Sequence, residues 1–90
     1  MNKAELIEQL TTEIQITKAD CERILDCTID TIRKTVKKGE DVTLVGFGTF
    51  TRSRRKARTG RNPQTGDVIK IPASTVPKFR AGKAFKEFIN

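Results

Sequence analysis

The sequence predicts an α+β fold: a helical base, a small antiparallel sheet and a long protruding β-hairpin. Three observations carry that prediction. Before Gly39, apolar side chains recur at steps of three and four, the period of helices with one buried face. From Val42 onward the pattern shortens to brief runs bounded by Gly, Pro and Asn, as strands and turns require. Arg52, Arg54, Arg55, Lys56, Arg58 and Arg61 then crowd together with no acidic residue among them. That run ends in Gly60-Arg61-Asn62-Pro63-Gln64-Thr65-Gly66 and resumes as Val68-Ile69-Lys70-Ile71. Two extended runs joined by such a loop make a hairpin. With little to bury, it must project from the body as an arm that grips a polyanion.

Each element follows from local chemistry. Asn2 suits an N-cap, with Glu5 three residues on as in a capping box. Leu6, Ile7, Leu10 and Ile14 give a helix of about three turns. Gln15 and Ile16 connect it to a second capping box, Thr17-Lys18-Ala19-Asp20. Cys21, Leu25, Thr28, Ile29, Ile32 and Val36 then mark the buried face of a longer helix reaching about Lys38, with Gly39 as its C-terminal stop. Arg33, Lys34, Lys37 and Lys38 sit near its negative dipole end. Helix capping and contact with a polyanion are both open for them.

Beyond Glu40-Asp41, Val42-Thr43-Leu44-Val45 is a strand, Gly46-Phe47-Gly48 a turn, and Thr49-Phe50-Thr51 the start of the next strand. Phe47 and Phe50 are expected in the core or a dimer interface. The Gly46-Phe47-Gly48 turn lacks a third glycine and a following helix, which excludes a dinucleotide loop. Pro72 marks a break or an edge. Lys78-Phe79-Arg80 is expected as a short return strand. Residues 83–89 are expected as a closing helix, with Phe85, Phe88 and Ile89 on one face and Lys83 and Lys86 pointing outward.

Charge is divided unevenly. Residues 1–51 hold seven basic and nine acidic residues, whereas residues 52–90 hold eleven basic residues against Asp67 and Glu87. That division accounts for the net charge of +7 and implies that one part of the molecule faces an acidic partner. With residues 52–75 forming an arm, the remaining body is small and needs help to be stable. Disulfides do not supply it. Cys21 and Cys27 lie six residues apart in one helix, about 9 Å along its axis, which is beyond disulfide reach. No metal or other cofactor is expected, because the sequence has no His and two Cys. Dimerisation with a second copy is the remaining route. No signal peptide or bilayer-length apolar run is present, so a cytoplasmic protein is expected.

Arginines suit the narrow, electronegative minor groove and bind phosphate bidentately. At the hairpin tip, Pro63 reads in two ways: a turn proline after Asn62, or an apolar ring that wedges between base pairs and kinks a duplex. A helix-turn-helix built from the first two helices is excluded by Asp20, Glu22, Asp26 and Asp30, which phosphate would repel.

The residues Gly60-Arg61-Asn62-Pro63-Gln64-Thr65-Gly66 resemble the arm-tip motif of the HU/integration host factor family of bacterial DNA-bending proteins. Val45-Gly46-Phe47-Gly48-Thr49-Phe50 and Val76-Pro77-Lys78-Phe79-Arg80-Ala81-Gly82-Lys83 resemble its other two signatures. The similarity spans essentially all 90 residues. HU and integration host factor are themselves standing examples of minor-groove architectural binders. The resemblance implies an intertwined homodimer whose two arms embrace DNA, with Pro63 intercalating and Arg55, Arg58, Arg61 and Asn62 at the minor groove or its backbone. It implies phosphate contacts from the turn Gly46 to Gly48 and from Lys3, Lys83 and Lys86. Phe47, Phe50 and Phe79 would fill the dimer core. The stretch Arg54-Arg55-Lys56 is more basic than is usual in the family, which suggests tighter and less selective backbone binding. An end at Asn90 without an extended tail stands closer to HU than to its sequence-specific relatives.

The expected function is therefore non-sequence-specific, architectural binding, bending and compaction of double-stranded DNA, in the nucleoid and without catalysis. The candidate DNA contacts are Lys3, Gly46, Gly48, Arg52, Arg54, Arg55, Lys56, Arg58, Arg61, Asn62, Pro63, Gln64, Thr65, Lys70, Lys78, Arg80, Lys83 and Lys86. The candidate core and dimer residues are Leu25, Ile29, Ile32, Val36, Leu44, Phe47, Phe50 and Phe79. Residues 1–90 are expected as a single domain: 1–51 the helical base and first strands, 52–75 the arm, and 76–90 the return strand and closing helix. A heterodimer with a paralogue, a sequence-preferring regulator of the same fold and an RNA-binding protein stay open as alternatives. No membrane or small-molecule partner is expected.

Overall fold

In the computed structural model, which describes residues 1–90, the first helix begins where its capping residue stands. The Asn2 side-chain oxygen accepts from the Glu5 amide at 2.9 Å, and α1 runs Lys3–Ile14. Gln15 ends it in the left-handed region, its amide bonded to the Thr11 carbonyl. The Thr17 hydroxyl then accepts from the Asp20 amide at 3.1 Å and opens α2, Lys18–Lys37. Both caps satisfy amides that a helix start leaves without partners.

The chain divides into two compact units, Met1–Lys34 and Thr35–Asn90. In the first, α1 meets α2 where Cys21 and Ile7 are buried together, with the Cys21 thiol 3.9 Å from the Ile7 carbonyl. Cys21 acts there as a small apolar side chain. Along the rest of the α2 face the expected residues are less covered. Leu25 and Ile32 are half-buried and Ile29 is exposed, whereas Val36, in the second unit, is buried.

The second unit starts with the last turn of α2. Gly39 follows it at φ +95°, a conformation that favours glycine, and its amide bonds the Val36 carbonyl. Then come β1 (Val42–Leu44), β2 (Gly48–Arg55), β3 (Arg58–Arg61), β4 (Val68–Ile71), β5 (Ser74–Ala81) and α3 (Lys83–Phe88). β1, β2 and β5 form one antiparallel sheet in that order, and β3 and β4 form a separate two-stranded ladder.

The aromatic core of this unit sits on one face of the three-stranded sheet. Phe50 lies opposite Phe79 in the register, with ring centroids 4.9 Å apart. Phe47, in the turn between β1 and β2, meets Phe79 and Phe85 at 5.2 Å each and Phe50 at 6.3 Å. Such spacings suit favourable ring pairing. Gly48 makes the approach possible: a Cβ there would stand 2.5 Å from a Phe79 ring carbon and 2.6 Å from the Arg80 carbonyl oxygen.

Two expectations need correction. The return strand is not the short segment Lys78-Phe79-Arg80 but eight residues long, and it carries Pro77 within it. β5 is an edge strand, where a missing N–H is tolerated. The closing helix also fails to keep its three apolar residues together. Phe85 joins the aromatic cluster, but Phe88 is 88 % and Ile89 70 % exposed. α3 ends at Phe88, so Ile89 lies beyond the helical periodicity that the sequence suggested.

Candidate nucleic-acid interface

The candidate interface is one antiparallel ribbon interrupted once. β2 and β5 pair from Gly48↔Ala81 to Arg55↔Ser74, and β3 and β4 pair from Arg58↔Ile71 to Arg61↔Val68. Lys56 and Ala57 are skipped on one side, Pro72 and Ala73 on the other. The register therefore continues across the gap without a bulge. Pro72, which has no amide hydrogen to donate, lies in that gap.

Opposed residues of an antiparallel pair share a face, and faces alternate along a strand. Phe50 and Phe79 define the aromatic face. The opposite face carries Thr49, Thr51, Ser53 and Arg55 from β2, facing Arg80, Lys78, Val76 and Ser74 from β5. Thr43 of β1 extends it, its hydroxyl 3.2 Å from that of Thr49. This is a surface of cations and hydroxyls, which suits phosphate oxygens, except at Thr51, whose hydroxyl donates to the Asp41 carboxylate at 2.6 Å. Sequence reasoning missed the hydroxyls; their strict alternation with Phe50 was the available signal.

The distal ladder is mixed. Arg58 and Gly60 share a face with Ile71 and Ile69, while Thr59 and Arg61 share the other with Lys70 and Val68. At the tip, the Asn62 amide donates to the Asp67 carbonyl at 2.8 Å and the Gly66 amide to the Asn62 carbonyl at 2.7 Å. The Asn62 side-chain oxygen accepts from the Gln64 amide at 2.9 Å, and the Thr65 hydroxyl accepts from the Asp67 amide at 3.3 Å. Such Asx and Thr turns stiffen a loop. Pro63 is exposed on that hydrogen-bonded turn.

Arg54, Arg55, Lys56, Arg58, Arg61, Gln64, Thr65, Lys70, Lys78, Arg80, Lys83 and Lys86 are all exposed. Among them only Lys83 has a carboxylate within ion-pair distance, Glu87 at 3.8 Å. Some cations elsewhere differ, whereas Lys18, Arg33, Lys37 and Lys38 likewise have no carboxylate within ion-pair distance. Lys3 reaches Asp26 at 2.6 Å and Glu22 at 3.7 Å, Arg23 reaches Asp20 at 3.8 Å, and Lys34 reaches Asp30 at 2.8 Å. The hydrogen bond to Asp26 raises the Lys3 pKa above its ordinary value, and the bond from Lys34 lowers that of Asp30.

Several expected contacts are placed differently. Gly48, expected to present its backbone to phosphate, is buried against Phe79; within that turn Gly46 is exposed. Asn62 and Thr65 build the tip turn through their side-chain oxygens. Arg52 turns towards α2, its Nη1 donating to the Lys37 carbonyl at 3.1 Å. Period-two alternation puts Arg52 on the Phe50 face, and that parity was legible in the sequence.

A cationic ribbon ending in a stiff, proline-bearing turn defines a β-arm protein built to hold a polyanion. The model of the family described as "Bacterial DNA-binding protein" matches residues 1–90. DNA-binding protein HU-beta of Salmonella typhimurium is 53 % identical over 90 residues, covering 100 % of both chains. DNA-binding protein HU of Clostridium pasteurianum is 52 % identical, covering 100 % of this chain and 99 % of its own. Among solved structures, an Anabaena HU–DNA cocrystal superimposes with a TM-score of 0.92 at 45 % identity, covering 99 % of this chain and 97 % of that one. HU from Thermotoga maritima gives 0.71 at 33 % identity with 100 % of both covered. The chain belongs to the HU family of bacterial DNA-binding proteins.

Proposed function

We propose that this protein is a non-sequence-specific architectural DNA binder that acts as a homodimer and bends and compacts the duplex through its minor groove. One observation carries the reading: the ribbon cations have no internal carboxylate partners, whereas Lys3, Arg23 and Lys34 do. Unpaired guanidinium groups on two opposed strands attract phosphate and displace its counterions. That the Anabaena relative was crystallised with DNA supports the same reading.

Pro63 is the wedge. Its ring is exposed on a turn already fixed by Asn62 and Thr65, so little conformational freedom is lost on insertion. Unstacking one base step costs about a few kcal/mol, which is offset by the contacts a bent duplex allows. Arg55, Arg58 and Arg61 hold the groove and its backbone; Arg54, Lys56, Lys70, Lys78, Arg80 and Lys86 add phosphate contacts. Lys83 must exchange Glu87, and Lys3 must exchange Asp26, before either meets phosphate.

Dimerisation follows from what one chain leaves uncovered. Val45 is 99 % and Phe79 42 % exposed, and the buried apolar side chains are Ile7, Cys21 and Val36. The chain exposes 7818 Å², whereas a compact monomer of its mass exposes about 5,300 Å². An obligate dimer interface buries roughly 2,000–5,000 Å² over both partners, so about 1,000–2,500 Å² of each chain, which covers much of that excess. Leu44, Phe47, Phe50, Phe79 and the α2 residues Leu25, Ile29, Ile32 and Val36 are the proposed shared core. Residues 1–90 act as one domain with residues 52–75 as the arm. No helix is long and apolar enough to cross a membrane, and the proposed setting is the cytoplasmic nucleoid, with no cofactor and no catalysis.

A competition and bending experiment tests the reading. Unlabelled duplexes of unrelated sequence should displace a labelled probe about equally, and bound DNA should be bent. Pro63→Ala should reduce the bend far more than the affinity. Displacement by one sequence alone, or an unbent duplex in the wild-type complex, would contradict it.

A further inference from the structure

Arg52 opens the cationic run, yet its guanidinium is occupied within the protein. Three of the donor–acceptor links around the end of α2 are backbone ones: the Lys38 and Glu40 amides reach the Thr35 carbonyl at 3.2 Å, and the Gly39 amide reaches the Val36 carbonyl at 3.0 Å. The Lys37 carbonyl is met instead by Arg52 Nη1 at 3.1 Å. The guanidinium also lies close to Gly39: a Cβ there would stand 2.8 Å from Nη2 and 3.3 Å from Cζ. The end of a helix is negative, so a cation is favoured at this place. On the other face of the ribbon the preceding residue does the same work: the Thr51 hydroxyl donates to the Asp41 carboxylate at 2.6 Å. Consecutive residues on opposite faces thus tie the root of the ribbon to the segment 37–41.

We propose that Arg52 is a positioning residue and not a phosphate contact: with Thr51 it clamps the root of the ribbon and fixes the direction in which the cationic arm leaves the sheet. The inference rests on the DNA-binding reading of the arm. It assigns Arg52 a role opposite to that of Arg55 and Arg58, although all three stand in one basic run. The planar fork matters as much as the charge, because it bonds the carbonyl while packing against Gly39; an ammonium cannot do both.

The test uses the full-length dimer with Arg52→Met and Arg52→Lys, and Arg58→Met as the reference for a phosphate contact. Three quantities are read at fixed protomer concentration: the melting temperature, the slope of log K against log salt for a random duplex, and the bend from energy transfer between duplex ends. Arg58→Met should lower the magnitude of the slope by about 1 and leave melting unchanged. Arg52→Met should leave the slope unchanged, lower the melting temperature by several degrees and give a shallower bend well below melting. Arg52→Lys should behave like Arg52→Met. A slope reduced by about 1 in Arg52→Met and restored in Arg52→Lys would make Arg52 a phosphate ligand and overturn the proposal. So would a lowered melting temperature with the bend intact, which leaves a stabilising cap and nothing more. Failure of the DNA reading itself is told apart, because the wild-type dimer would then show no salt-dependent duplex binding before any variant is compared.

Discussion

The unit Met1–Lys34 and the ribbon of the second unit handle charge in opposite ways. In the first, Lys3, Arg23 and Lys34 each face a carboxylate, two of them one helical turn away on α2. In the ribbon, Arg54, Arg55, Arg58, Arg61, Lys70, Lys78 and Arg80 face hydroxyls, aliphatic groups or solvent. Three cations of the first unit are therefore neutralised by neighbouring carboxylates, Lys18 and Arg33 not among them, while those of the ribbon are held open. What marks an interface is the pairing state of its cations more than their number, because exposed ion pairs contribute little stability but do lower the field available to a ligand.

The largest expected effect concerns what lies behind the ribbon. Phe47 touches three other rings, so Phe47→Ala should destabilise the dimer by about 3–5 kcal/mol, read by denaturation at fixed protomer concentration. Unchanged stability would separate the aromatic cluster from the support of the ribbon. Gly48→Ala comes next. Its new methyl overlaps the Phe79 ring and should cost about 1–3 kcal/mol. Asn2→Ala removes a cap in the helical unit, costs about 1 kcal/mol, and should leave the salt dependence of DNA binding unaltered.

The smallest expected effect sharpens the contrast from the acidic side. Asp26→Asn should change stability at neutral pH very little, as exposed pairs do. The sign of the pH dependence follows from Lys3. Its pKa is raised in the folded state, so its contribution is present below the ordinary lysine value of 10.5 and fades as pH rises through the folded value. Melting profiles of the wild type and Asp26→Asn should converge in that alkaline range.

Much of this is legible in the sequence. Asn2, Thr17 and Gly39 announced the helix ends, because caps are local chemistry between near neighbours. The tip motif and the six clustered cations announced the ribbon. The misses were non-local. Whether Pro77 can sit inside a strand depends on β5 being an edge, which no single segment reveals. The fates of Arg52 and Gly48 depend on what stands across from them, Lys37 in one case and Phe79 in the other. The part Asn62 plays in the tip turn likewise depends on the amide of Gln64 lying within reach.

The most direct test compares salt titrations of duplex binding for the wild type and two neutralised variants. For about six to eight phosphates contacted, the wild-type slope of log K against log salt should be about −5 to −7. Arg55→Gln, Arg58→Gln and Arg61→Gln combined should lower its magnitude by about 3, whereas Arg23→Gln with Lys34→Gln should leave it where it was. Equal losses in both variants, or a slope that the ribbon substitutions do not move, would contradict the assignment of the unpaired ribbon cations to DNA.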